Sequence, residues 1–157
     1  MTELGTLYQT DYAAWARRNA ELLRGGRFAE LDIEHLLDEL SDMGKSERDE
    51  LESRLLILLA HLLKWEYPYQ TLSERWRECD GRSWRSTIVE QRKRLAVRLR
   101  KSPGLTSIVA DAIYSVYPDA VDLAYKETRL PPETFPAICS YRSEQLFDDE
   151  YYPGSPA

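Results

Sequence analysis

Apolar positions fall at helical spacing along almost the whole chain, and one stretch dominates. In Ser46 to Tyr67, SERDELESRLLILLAHLLKWEY, leucine is nearly continuous from Leu51 to Trp65. The run is too long for a strand and suits a helix. At about 100° per residue, Leu51, Leu55, Leu58, Leu62 and Trp65 form one stripe, with Leu56, Leu59 and Leu63 in a second beside it. More than half the circumference is apolar, which predicts burial on at least two sides. Glu50, Arg54, His61 and Lys64 form the remaining polar strip. The run is too short, and too charged at its ends, to span a bilayer.

The flanking segments read as shorter helices. Leu7 to Arg24 places Tyr8, Tyr12, Trp15 and Leu22 on one face, with Thr10 as a cap, and Gly25-Gly26 ends it. Phe28 and Leu31 are expected to plug the core. Asp32 caps a second helix ending near Met43, with Ile33, Leu36, Leu37, Leu40 and Met43 at helical spacing. Gly44 stands where a left-handed terminal residue belongs, and Ser46 caps the leucine helix. The two are therefore expected to form a hairpin. Pro68 ends the leucine helix. Tyr69 to Asp80 is polar around Trp76 and reads as a loop or a poor helical turn, with a break at Gly81.

A fourth helix from about Ser83 to Lys101 turns Trp84, Ile88, Leu95 and Leu99 inward. Ser102-Pro103 opens a fifth, carried by Leu105, Ile108, Val109, Ala112, Ile113 and Val116. Pro118 should break or kink it, leaving a sixth helix to Thr128. Leu130-Pro131-Pro132 and Phe135-Pro136 force an extended strap over the bundle, closing one end, before a last helical turn from Ser143 to Asp148. Residues 1–7 and 151–157 read as loose ends. There is no repeat and no strand pattern. The expectation is an all-α, single-domain bundle of five to six helices around the leucine helix.

A length of 157 residues fits one domain with one core. No N-terminal apolar segment has the flanks of a signal peptide, so none is expected. Cys79 and Cys139 match no metal or redox spacing, which points to a reducing cytoplasm. The net charge of −6 weighs against nucleic acid or anionic membrane as main partner. Its distribution says more. Glu30 to Glu52 holds ten acids and two bases, whereas Arg82 to Lys101 holds eight bases and one acid. Either the basic helix lies across acidic ones, or it offers a strip to a phosphate or an acidic partner.

Three groups are candidates for chemistry. His61, beside the leucine core, can titrate or ligate; otherwise it is a boundary histidine packed on Trp65. His35, Glu39 and Asp42 put an imidazole and two carboxylates on one side of a helix, as a divalent metal requires, but also as a solvated acidic face would. The paired Glu-x-x-His motifs of a di-iron bundle are absent. Trp84 and Arg85, with Arg92 a heptad later, suit an anion or a flat ligand, or else core packing and ion pairing. No Gly-rich phosphate loop, nucleophile–base motif or cofactor fingerprint is present. Four tryptophans and ten tyrosines are many for one core and predict an exposed aromatic patch. The leading expectation is a non-enzymatic interaction module, as homodimer or adaptor. The alternative is a small-molecule, anion or metal site lined by His61, Glu39, Trp84 and Arg85.

Several segments together carry a family likeness. LLRGGRFAELDIEHLLDELSDMGKSERDELESRLLILLAHLLKWEY, RSWRSTIVEQRKRL, and LPPETFPAICSY with EQLFDDEYYP resemble the bacterial domain-of-unknown-function family twenty-nine from about Tyr8 to Pro153. The resemblance implies a small helical domain of bacterial origin and brings no activity, cofactor or catalytic residue. The chain departs from the family pattern between Tyr67 and Ser83, where it carries a few extra residues, and at Pro118.

Overall fold

The computed structural model describes the backbone of residues 2–67 and 74–154, and the side chains of 2–67 and 82–154. Residues 68–73 and the side chains of 74–81, where Trp76 and Cys79 fall, lie outside the described residues. The described chain is all-α, as its periodicity predicts. Six helices follow in order: α1 (Glu3–Thr10), α2 (Tyr12–Arg24), α3 (Ile33–Glu66), α4 (Glu74–Lys101), α5 (Val109–Thr128) and α6 (Ser143–Phe147). They fall into two compact units, Met1–Ser46 and Glu47–Ala157. α3 contributes residues to both.

In the first unit, the single helix expected over Leu7 to Arg24 is two. Thr2 caps α1 through Gly5 N–H at 3.0 Å, so the expected loose end is helical. Asp11 caps α2 by accepting from Ala14 N–H at 3.1 Å. Gly26, at φ 66°, ends α2 in the left-handed region, and Arg27 N–H closes the turn on Leu22 O at 2.9 Å. The rings of Tyr8, Tyr12 and Trp15 pack together at 4.9 to 5.9 Å. Trp15, Asn19 and Leu22 are buried, but Phe28, expected as a core plug, is exposed.

The hairpin expected at Gly44 does not form: α3 runs unbroken through Gly44, Lys45 and Ser46. A glycine in a helix interior costs about 1 kcal/mol, which a long helix absorbs. Ion pairs Arg48–Glu52 and Arg54–Glu50 support the following turns at i,i+4. A Cβ added at Gly44 meets nothing within 4 Å. Gly44→Ala should therefore raise stability by about 0.5–1 kcal/mol, read as a higher urea midpoint at unchanged slope. A hairpin turn at that residue would make the same change destabilising.

In the second unit, Leu51, Leu55, Leu58, Leu59, Leu62 and Leu63 of α3 are fully buried. They share one core with Ile88 and Leu95 of α4, with Val109, Ala112, Ile113, Val116, Ala120 and Ala124 of α5, and with Leu146 of α6. Trp15 and Leu22, from the first predicted helix, are not part of it. α4 begins at Glu74 and passes Gly81 without a break, well before the expected start at Ser83. The fifth and sixth predicted helices are one, because α5 continues through Pro118. Proline forfeits one helical hydrogen bond and crowds the carbonyl four residues back. Pro118 and Tyr114 both face solvent, so water can take up that carbonyl. The proline strap packs on this unit through buried Phe135 and Tyr141, and Tyr117 Oη donates to Pro136 O at 2.7 Å.

Candidate functional site

Glu39, one of the predicted site residues, belongs to the first unit. Its carboxylate accepts from Tyr12 Oη at 2.7 Å and Tyr8 Oη at 2.6 Å. Those hydrogen bonds hold Glu39 below the ordinary carboxylate range and push the Tyr8 phenol up to about 12. His35 stacks on Tyr8, with centroids 4.0 Å apart, and its Nδ1 lies 2.8 Å from Asp32. Burial works against the Asp32 charge, but hydrogen bonds from Trp15 and His35 outweigh it and lower the pKa. The face read as His35, Glu39 and Asp42 is thus a tyrosine–tryptophan–carboxylate lattice. Among the described residues no group of three or more His, Cys, Asp or Glu is placed to hold a metal ion.

His61, Trp84, Arg85 and Arg92 belong to the second unit and form two neighbouring groups. Lys64, assigned from sequence to an exposed polar strip, is 3% exposed. Its ammonium lies 5.2 Å from the Trp84 ring centre, ion-pairs with Glu127 of α5, and donates to His61 Nε2 at 3.3 Å. His61 Nδ1–H in turn donates to Ile57 O at 2.8 Å, which fixes the neutral tautomer. Burial, and then the Lys64 charge, push the His61 pKa below 6.5. A group depressed on folding stabilises fully above its unfolded pKa and less as the pH drops beneath it. Stability of this unit should therefore fall as pH drops below 6.5, and His61→Gln should flatten that fall. Urea midpoints for both proteins between about pH 7.5 and 5 measure it; identical slopes would remove His61 as the cause.

In the second group, the guanidinium groups of Arg85 and Arg92 stand 5.2 and 5.4 Å from the Tyr152 ring centre, and Trp65 packs on the same ring at 5.0 Å. Arg92 is buried, and burial lowers its pKa against the opposing pull of Tyr152, Asp149 and Asp148. It donates to Leu146 O at 2.8 Å and Gln145 O at 3.1 Å. These are terminal carbonyls of α6; Leu146 O has no helical partner, and Gln145 O otherwise accepts only from Asp148 N–H at 3.4 Å. Tyr141 Oη donates to Glu66 nearby. Glu127, Glu66 and Tyr152 had no signal in the sequence, because their partners lie far along the chain.

The most accessible apolar surface lies elsewhere. Ile33, Leu37, Leu40 and Met43 of α3, placed by their spacing on a helix expected to pack in a hairpin, are 52%, 60%, 62% and 63% exposed. They project from one side of the helix. Five turns on, the same phase carries Leu51, Leu55 and Leu58, all fully buried. The stripe is aliphatic; exposed aromatics among the described residues are Tyr12, Phe28, Tyr114 and Tyr125, whereas Trp15, Tyr117 and Tyr141 are buried. Glu34 and Asp38 border the stripe, are exposed, and form no ion pair among the described residues.

Two open grooves accompany these features. One, of about 710 Å³, is lined in the first unit by Leu4, Leu7, Arg17, Arg18, Leu22 and Glu34 among others. The other, of about 410 Å³, lies in the second unit along Glu50, Glu90, Lys93, Val97 and Lys101. Neither gathers the residues singled out from sequence. Among the described residues no helix is long and apolar enough to cross a membrane.

One family model, Domain of unknown function DUF29, matches residues 7–152. No curated protein and no solved structure matches the chain. The match takes in α2 to α6, the strap and the Arg92 anchor, and with nearly its whole length covered, the chain belongs to the DUF29 family.

Proposed function

We propose that this chain is a non-enzymatic interaction module whose contact surface is the N-terminal part of α3. The observation that carries the reading is the exposure of Ile33, Leu37, Leu40 and Met43. Three turns of helix present apolar side chains in register, rimmed by acids, which is how helical recognition surfaces are built. A single exposed apolar side chain is ordinary; four on one stripe are not. The polar groups near His61 and Trp84 support the alternative of a small-molecule or anion site less well. Lys64, His61 and Glu127 already take one another as partners, and Arg92 gives Nε and Nη2 to backbone carbonyls, leaving only its buried Nη1 without a partner among the described residues.

A photo-crosslinking amino acid at Leu37 or Leu40, compared with one at exposed Tyr114 on α5, tests the reading in the cells that make the protein. A discrete adduct from the α3 positions and none from Tyr114 is the expected result. No adduct from either α3 position, with a monomeric mass at every concentration tried, would contradict it.

A further inference from the structure

We infer that the occupant of the α3 stripe is an amphipathic helix of another protein, with an apolar face edged by Lys or Arg. This rests on the interaction reading above and adds the chemistry of the partner. Ile33 to Met43 covers about three turns, so the matching segment is a helix of about three to four turns. The stripe is one ridge wide, which suits a helix laid along it rather than a flat surface.

Charge decides between candidate occupants. Glu34 and Asp38 follow one another along one edge of the stripe, and both are exposed without an ion pair among the described residues. Arg27, the nearest preceding base, is already paired with Glu30. A second copy of this chain, meeting stripe to stripe, would set two unpaired acidic rows against each other. Its basic α4 offers the right sign, but among the described residues of that helix Val89 is the one large apolar side chain that is exposed, too little to cover the four positions of the stripe. A cationic amphipathic helix meets both demands: apolar cover for the ridge, and counter-charge for the acids.

The test uses the full chain and three labelled synthetic helices of four turns. All share one leucine face, edged by Lys, by Gln or by Glu, and binding is read by fluorescence anisotropy. The Lys-edged helix should bind about tenfold tighter than the Gln-edged one, and the gap should shrink in about 0.5 M salt. The Glu-edged helix should not bind. Glu34→Gln/Asp38→Asn should bring the Lys-edged helix down to the Gln-edged level. Leu37→Ser/Leu40→Ser should abolish binding of both, with helical circular dichroism confirming that each variant folds.

Equal binding of the Lys- and Gln-edged helices would overturn the basic partner and leave the contact face standing. So would self-association lost in Leu37→Ser/Leu40→Ser while no peptide binds. Lys-edged binding that survives Leu37→Ser/Leu40→Ser would place it off the stripe and overturn the inference. No peptide binding and no self-association would overturn both readings together.

Discussion

Leu58→Ala should cost the second unit about 3–4 kcal/mol, whereas Leu40→Ala, five turns earlier in the same phase of α3, should change stability by less than about 0.5 kcal/mol. Leu58 is fully buried in the leucine core, so truncation loses transfer energy and opens a cavity. Leu40 is 62% exposed, so little contact is lost, and alanine is the better helix former. Residue type, helix and phase are the same, which leaves cover as the difference. Urea unfolding of the two variants at equal slope measures it. A loss of 2 kcal/mol or more at Leu40 in dilute monomer would mean that the stripe is core after all.

Arg92→Met should destabilise the second unit by about 3 kcal/mol. The change keeps most of the volume but strips the charged donor from Leu146 O and Gln145 O, leaving Leu146 O buried without a partner and Gln145 O with only the Asp148 N–H. It also removes one of two cations from the Tyr152 ring. Arg92→Lys should recover only part of the loss, because an ammonium cannot reproduce the guanidinium fork across two carbonyls. Hydrogen exchange should show the effect first in α6 and the residues after it, as faster exchange near Leu146. Unchanged exchange there would show that the C-terminal turn is held by Tyr141, Phe147 and Tyr152 packing alone.

Helix content was legible because the apolar residues repeat at 3–4 spacing, and the leucine core was legible because one helix cannot be apolar over half its circumference unless covered. The misreadings share a cause: each was a local signal overruled by a non-local term. Gly44 followed by Ser46 has the form of a stop and a start, yet a glycine penalty of about 1 kcal/mol is smaller than the cost of two new helix ends. Pro118 has the form of a breaker, yet its side of α5 is wet. Lys64 sits on the polar edge of a helical wheel, yet Glu127 reaches it from α5 and Trp84 covers it.

The Ile33–Met43 stripe was legible as a helix face, but the hairpin expected to follow it does not form. Periodicity shows that a helix face is apolar; it does not say what covers it. The same pattern describes a core face and an open contact face, and only burial separates them. Of the predicted site residues, His61 and Trp84 do meet, through Lys64, and Arg85 and Arg92 meet at Tyr152. Glu39 belongs with Tyr8 and Tyr12 in the first unit.

Methyl-labelled leucine, monitored by NMR with a soluble paramagnetic agent in dilute solution, reads the cover of each position directly. The Leu37 and Leu40 methyl signals should broaden strongly, while those of Leu51, Leu55, Leu58 and Leu62 stay sharp. Protection of Leu37 and Leu40 equal to that of Leu55 and Leu58, in a chain of monomer mass, would contradict the open stripe.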